Sequence, residues 1–579
     1  MLKERSFRRE MSELLCRISY ILPVVLTAIF SYGYSIAHLS ISTDDLTADR
    51  YTTWDSVLFS QGRFTAVIMK RFFGLIRPVP FFGNLLCILL FIIAAMIFCV
   101  VMQRAASGKL KPSALTVFSC ILISYSLINE IYVYNGGNIN VCVGYCLTAL
   151  SVYFAQKYYI EKKFSSLLYS MLIMVSVVSL YESFCSVYVM MIIIILILEF
   201  YYSEDQQSSR RFFKVLLRGM IALAPLLVAI ILEFAIGKVA NAIFAFPETE
   251  YAVTSSLWLD SELTRAEIFN SFMREILFYY VFAFPYYLPI KTLLITVAAV
   301  IVWLIVEGIR HRNVTISMLF VAMLIMLMAL SLISGRVSPA RTCQHYAIFV
   351  GFFVMLAYQQ LLETADRARR PSVKKIVTYA TCFLAFVLIF YQAHDLNAWL
   401  CLDVQRYEEE KRVLETVGDK LNAEYDVANK PVAFVGQYTI SSQIREQCTV
   451  RRDSPVVVKT AALLNKIGMT DLAKTAATLD GNESFKYVRN NLNSYIFWAS
   501  LAFNEPNTEL LKFYRMLGYY FEPVDPVTFD GCLFQCNLMA EWPDPESIVE
   551  LDECIIVNFG RIVDLEAERE NGFANDNDE

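Results

Sequence analysis

Over the first four hundred residues the chain alternates long apolar stretches with short polar connections. Residues 1–17 are basic and polar, and an apolar stretch follows at 18–39. Ten more lie at 82–102, 114–129, 139–155, 167–180, 184–200, 215–236, 287–309, 314–333, 347–362 and 376–391. A helix rises about 1.5 Å per residue and the bilayer hydrocarbon is about 30 Å thick, so this pattern predicts about eleven membrane spans. Residues 167–200 decide the count. As one helix they would be roughly 50 Å long, and a single span would place Arg210, Arg211 and Lys214 across the membrane from the other basic loops. A break with a tight turn at Tyr181, Glu182 and Ser183 is therefore predicted.

Past residue 396 the periodicity changes. A charged helix is predicted at 407–425, strands at 431–436 and 555–559, and helices at 456–467 and 509–520, followed by an acidic, disordered tail at 561–579. The fold class is mainly α: a polytopic transmembrane bundle over 18–395, with a first outer loop at 40–81, then a small α/β domain over 396–560. Two further segments have helical apolar spacing and are predicted to lie along the membrane surface. One is 57–76. The other starts at Thr264 and Glu267, a capping-box pair, and continues through Ile268, Phe269, Phe272 and Ile276.

Composition supports the membrane reading. Of 579 residues 56% are hydrophobic and 18% charged, and mean hydropathy is +0.47, more apolar and less charged than a soluble domain. Every second connection is basic, from Lys3 and Arg5 through Arg104, Lys109 and Lys111 to Arg367 and Lys374. The positive-inside tendency then predicts a cytoplasmic N-terminus, a multi-pass protein of the cytoplasmic membrane and an extracytoplasmic C-terminal domain. A net charge of −5 without a clustered basic face argues against a nucleic-acid partner. Most of the 14 cysteines fall in apolar runs, and none has metal-site spacing. Cys448, Cys532, Cys536 and Cys554 in the C-terminal domain are disulfide candidates whose pairing the sequence leaves open.

The candidate chemistry begins in the first outer loop. Asp44 and Asp45 are adjacent, and Arg50, Trp54, Gln61 and Arg63 follow. Neighbouring carboxylates repel, so one holds its proton to higher pH and can serve as a base toward an acceptor hydroxyl. The alternative is a solvated helix end with no task. On the predicted topology the loops after the first, third and ninth spans and the turn at Tyr181 and Glu182 share the outer face. Arg336 and Arg341 are candidate phosphate clamps because a guanidinium donates to two phosphate oxygens at once, with snorkelling to headgroups as the alternative. His345 and Tyr346 could add hydrogen bonds. Tyr181 and Glu182 could bind sugar hydroxyls, and Trp54 could stack on a sugar ring or anchor at the interface. Residues 135–138, rich in Asn and Gly, read as a turn, with sugar hydrogen bonding as the alternative.

A first outer loop carrying Asp44-Asp45, Arg50, Trp54 and Gly62-Arg63-Phe64, on a many-span body, resembles the bacterial GtrII-type glucosyltransferases within the GT-C class of membrane glycosyltransferases. Phe64 stands where that family is expected to have Trp. The resemblance implies transfer of a hexose, glucose by expectation, from a polyprenyl-phosphate donor to a surface or lipid-linked glycan acceptor at the outer leaflet, with the first-loop acids at the reaction centre. A monophosphate donor creates little need for a metal, so no cofactor is predicted; Mg²⁺ or Mn²⁺ at Asp44/Asp45 is the alternative. Rival readings are a lipid-linked-sugar transporter or flippase, a polymerase or ligase using a pyrophosphate donor, and a noncatalytic glycan-binding protein. The transporter would need charges at mid-membrane depth, where Glu233 is the main exception to a pattern of charges gathered near one face.

Overall fold

The computed structural model describes residues 6–41, 58–59, 61–73, 80–128, 132, 138–202, 209–244, 258, 264–277, 290–310, 314–335, 338, 340–436, 438, 459, 462–463, 465–466 and 506–560. The chain divides into two compact units. Unit 1 comprises Met1–His38, Thr52–Leu400 and Asp453–Thr478; unit 2 comprises Leu39–Tyr51, Cys401–Arg452 and Leu479–Glu579.

Unit 1 is helical. Its elements are α1 (Phe7–Leu15), α2 (Ile18–Ala37), α3 (Phe64–Phe72), α4 (Pro80–Ala105), α5 (Pro112–Ser124), α6 (Asn138–Glu161), α7 (Phe164–Val178), α8 (Phe184–Tyr201), α9 (Ser209–Phe244), α10 (Arg265–Leu277), α11 (Ile290–Arg310), α12 (Val314–Ser334), α13 (His345–Arg367) and the first part of α14 (Pro371–Glu424). Each of the eleven predicted spans is helical among the described residues. Among those residues eight helices are long and apolar enough to cross a membrane, and three apolar helices are shorter, at Pro112–Ile128, Phe164–Val178 and Thr292–Leu304. The break predicted inside 167–200 is present: α7 stops at Val178 and α8 begins at Phe184.

The faces of α2 show why this bundle suits lipid. Tyr20, Val24, Thr27, Ser31, Tyr32 and Ser35 point inward, while Leu22, Leu26, Ile29 and Phe30 are exposed. The hydroxyl-bearing stripe is buried and the aliphatic stripe is outside, the reverse of a helix in water. Tyr20 Oη shares a hydrogen bond with Ser119 Oγ at 2.8 Å, and Tyr32 Oη donates to the Ile123 carbonyl at 2.9 Å, so α2 is tied to α5 by bonds that hydrocarbon cannot compete for. On α6, Gly144 faces the Phe184 ring so closely that a β-carbon would overlap it, which lets α6 and α8 approach.

Basic residues collect at one end of the bundle. Arg104 pairs with Glu10 at 2.6 Å, Lys111 and Lys374 both pair with Asp366, and Arg218 pairs with Glu199 at 3.0 Å. The opposite end holds the termini of α2, α6, α8 and α13, joined by bonds such as Asn138 Nδ2 to Asn84 Oδ1 at 3.0 Å and Asn84 Nδ2 to the Ser35 carbonyl at 3.1 Å. Asn138, a candidate turn residue, is thus spent on the helix ends.

In unit 2 three short strands, β1 (Val432–Val435), β2 (Ile548–Glu550) and β3 (Ile555–Asn558), form a sheet in the order β1-β3-β2. β1 runs parallel to β3, with Val432 opposite Ile555, and β2 runs antiparallel to it. Alternate residues serve different cores. Val432, Phe434, Ile555 and Val557 meet Leu414, Val417 and Leu421 of α14 and Phe513 and Tyr514 of α15 (Pro506–Leu517). Ala433, Val435 and Ile556 meet Cys532 and Cys536 of α16 (Pro526–Cys536). A sheet buried on both faces reads in sequence as an unbroken apolar run, as in VAFV and IIV.

Two features differ from the sequence reading. The apolar span ending near 391 and the charged helix starting near 407 form a single 54-residue helix, α14, because nothing between Pro371 at its start and Glu424 breaks it except the tolerated Gly418. The division between units falls inside it, after Leu400. In addition, Ile41, read as loop, belongs to the core of unit 2 beside Tyr407 and Leu414. The predicted helix at 456–467 is described only at isolated helical positions, and the tail at 561–579 lies outside the described residues.

Candidate functional site

The predicted site residues divide into those that the structure describes and those that it does not. Asp44, Asp45, Arg50, Trp54 and Arg336 lie outside the described residues. Gln61, Arg63, Tyr181, Glu182, Arg341, His345 and Tyr346 are described, all in unit 1.

Three of these seven gather. Arg63 caps α3, and its Nη2 and Nε donate to Glu182 Oε2 at 3.0 Å and Oε1 at 3.3 Å, a two-pronged ion pair. The same guanidinium lies 5.2 Å from the centre of the Tyr181 ring, a cation–π distance. Arg63 is mostly buried and Glu182 half exposed, at 20% and 52% side-chain exposure, so the pair opens to the surface on its acidic side. Thr65 and Ser179, the second residue of α3 and the first past α7, share a buried hydroxyl–hydroxyl bond that fixes the turn against α3. Gln61 precedes this cluster and is half-buried.

Glu233 of α9 completes the group, a residue that the sequence marked only as a charge out of place. Gly62 has φ of +79°, the left-handed region that favours glycine, and a β-carbon there would overlap Glu233 Oε1. The α-carbon of Gly62 also sits within 3.9 Å of where a β-carbon of Gly237 would be, one turn further along α9. Glu233 lies within electrostatic reach of Arg63 and Glu182. Glu182 thus holds the guanidinium and Glu233 lies beside it at a helix-turn end. Such a group offers carboxylate oxygens to sugar hydroxyls while the arginine holds them in place.

The residues at the start of α13 behave differently. His345 is fully buried: Nδ1 shares a hydrogen bond with Ser186 Oγ at 2.9 Å, and Nε2 faces the Leu327 carbonyl at 3.4 Å. Tyr346, also fully buried, donates to the same carbonyl at 2.9 Å. Both side chains use their polar atoms to join α8, α12 and α13. Arg341 lies in the short turn Ala340–Thr342, half-buried, with its carbonyl accepting from Gln344 Nε2 at 3.2 Å.

Unit 2 contains a second polar cluster that the sequence reading missed. Arg406 of α14 donates to Asp403 Oδ1 through Nη2 at 2.9 Å and to Glu410 Oε2 through Nη1 at 3.0 Å. It also donates to the Ile41 carbonyl at 3.2 Å, and Ser40 Oγ donates to Asp403 Oδ2. All three charged side chains are under 5% exposed. The cluster pins the stem of the first loop just before Asp44 in the chain. Its signal was the spacing of Asp403, Arg406 and Glu410 along one helix face.

No group of His, Cys, Asp or Glu among the described residues has the geometry to hold a metal. Whether Asp44 and Asp45 could do so lies outside them.

The comparisons bear on this arrangement. A family model described as "Glucosyl transferase GtrII" matches residues 33–358, which include the first loop, Arg63, Glu182, Glu233 and Arg341. No curated protein matches the sequence significantly. Among solved structures, the apo crystal structure of an oligosaccharyltransferase from Archaeoglobus fulgidus is similar, with a TM-score of 0.37 and 8% identity over 71% of this chain. The chain spans 59% of that protein's length.

Proposed function

The chain belongs to the GtrII glucosyltransferase family, and from that premise we propose that it transfers a hexose, glucose by family, from a polyprenyl-phosphate donor to a glycan acceptor at the outer leaflet of the bacterial cytoplasmic membrane. The observation that carries the reading is the Arg63–Glu182 pair with Glu233 pressed against Gly62, a polar group at the end of an otherwise apolar bundle and inside the family-matched segment. Ionisable residues kept within a membrane bundle mark substrate sites more often than they mark packing.

Asp44 or Asp45 acts as the base toward the acceptor hydroxyl, and its partner carboxylate raises its affinity for the proton. The leaving polyprenyl phosphate is a stabilised anion, so the protein's task is to orient it and offset its charge. Arg336 and Arg341 are assigned to the phosphate, with Arg50 as a further donor. Arg63 is already held by Glu182 and is assigned to orienting the carboxylates rather than to clamping phosphate. Glu182, Glu233 and Tyr181 are assigned to sugar hydroxyls, with Gln61 and Trp54 at the rim. His345 and Tyr346 then serve by fixing the start of α13. No cofactor is invoked, and the expected result of EDTA treatment is unchanged transfer; loss restored by Mg²⁺ or Mn²⁺ would assign the aspartates to a metal instead.

Clustering of the basic residues at the opposite end of the bundle supports an orientation with that end in the cytoplasm. The decisive test is transfer in proteoliposomes from a polyprenyl-phosphate glucose donor. Asp44→Asn or Asp45→Asn is expected to lower the rate by roughly 10²- to 10⁴-fold. Wild-type rates in both variants would remove the catalytic assignment.

A further inference from the structure

We propose that Cys532 and Cys554 are a disulfide site of unit 2. The two residues stand on different elements. Cys532 lies in α16, on the face that covers the sheet, and Cys554 immediately precedes β3. Their sulfurs are 3.7 Å apart, in van der Waals contact, and both residues are buried, at 3% and 1% exposure. Cys536, one turn further along α16, is buried in the same core but makes no such sulfur contact among the described residues. Its end of the helix is fastened otherwise: Asn558 of β3 donates to the carbonyls of Cys536 and Ala540 at 3.2 and 3.1 Å.

Two facts favour a disulfide over two ordinary core thiols. The pair links α16 to β3, and in a domain whose described sheet has three short strands a cross-link adds more than one more small hydrophobe would. The described residues around it hold no third metal-type ligand in ligating geometry, so a zinc site does not compete. The remaining candidate partner in the domain, Cys448, lies outside the described residues.

The reaction is thiol–disulfide exchange. Two thiols and one molecule of an exported disulfide oxidant, a protein or small-molecule disulfide, give the Cys532–Cys554 bond and two reduced thiols on the oxidant. Burial pushes the Cys532 thiol up to about 12, so the thiolate is scarce once the core has closed, and exchange belongs to the folding chain. The inference rests on the proposed orientation only in placing unit 2 where such an oxidant exists, and not on the transfer reaction.

The experiment uses the full-length protein in its native membranes, denatured in N-ethylmaleimide without reductant and then digested for mass spectrometry. The expected result is one linked peptide pair carrying Cys532 and Cys554, which separates on dithiothreitol with a gain of two hydrogens. Membrane-helix thiols such as Cys99 and Cys120 should carry maleimide. Cys532→Ser should free Cys554 for labelling, whereas Cys536→Ser should leave the linked pair intact. A link from either residue to Cys536 or Cys448 overturns the assignment. A parallel sample is reduced in denaturant and exposed to oxidised glutathione as the denaturant is withdrawn. A pair that closes there but is reduced in cells overturns the outward placement of unit 2, and a pair that closes in neither overturns the disulfide itself. Transfer activity is scored separately, so an inactive enzyme with a linked pair counts against the function alone.

Discussion

Gly62 and Glu233 show what a single residue can decide. An L-residue in the left-handed region costs about 1–2 kcal/mol, and at Gly62 its β-carbon would also push the Glu233 carboxylate aside. Gly62→Ala is therefore expected to leave a folded protein with sharply reduced transfer. Glu233→Gln keeps the shape and removes the charge, and on the proposed reading it should lower kcat about tenfold or more. Steady-state kinetics in proteoliposomes check both, and wild-type kcat in Glu233→Gln would reduce the contact to packing. The sequence exposed Glu233 as a charge in an apolar run, but its neighbours Gly62 and Arg63 are far away along the chain, and nothing in a single sequence pairs them. His345 illustrates the opposite difficulty. A histidine at a predicted loop end looks the same in sequence whether it faces a ligand or, as here, Ser186 and a backbone carbonyl.

Helices and strands were legible to different degrees for physical reasons. Lipid dictates the length and apolarity of a helix, so the segments and the break at Tyr181–Ser183 could be read directly. β2, three residues long and passing from buried Ile548 to exposed Glu550, falls below any period. The continuity of α14 was hidden because a change from apolar to charged composition looks like a boundary although the backbone continues. On that helix Arg406 holds two buried carboxylates and the Ile41 carbonyl. Removing one partner from such a group typically costs about 3–5 kcal/mol, so Arg406→Ala should lower the thermal midpoint in detergent, and an unchanged midpoint would show that the network is not stabilising. A pH effect belongs to α16. The hydroxyl of Thr528, with the backbone N–H groups of Thr528 and Val527, holds the Asp525 carboxyl below the usual carboxylate range. A carboxyl with a depressed folded pKa stabilises the fold above its unfolded pKa, and that support is lost as pH falls through the folded value. Hydrogen exchange at the first turn of α16 should therefore quicken as the pH falls below about 4, beyond its intrinsic pH dependence. Asp525→Asn, which keeps a capping oxygen, should flatten that excess.

For the whole molecule the consequential number is the parity of the crossings. Among the described residues eight helices meet the length and composition of a span, which is even, and would return the chain to the side on which it began. With the three shorter apolar helices the number would be eleven, which is odd, and would put unit 2 on the other side. The shorter three are not alike. Pro112–Ile128 continues α5 through a 3₁₀ turn, and α5 is buried from Ala114 to its end, so protein surrounds most of it rather than lipid and full bilayer length is not required of it. Phe164–Val178 is followed at once by the turn that carries Glu182, whose bond to Arg63 fixes that helix end at the end of the bundle opposite the basic residues. Thr292–Leu304 lies within the 21 residues of α11, roughly 31 Å of helix and enough to cross. Eleven crossings are therefore expected, with the termini on opposite sides. Cys16, exposed past the end of α1, supplies a native reporter for the first side. In intact cells a membrane-impermeant maleimide should leave Cys16 unlabelled but label a cysteine introduced at Tyr520, an exposed position of unit 2, and permeabilisation should add Cys16. Labelling of both only after permeabilisation would mean an even number of crossings, with one of the three shorter helices lying within the bundle without traversing it.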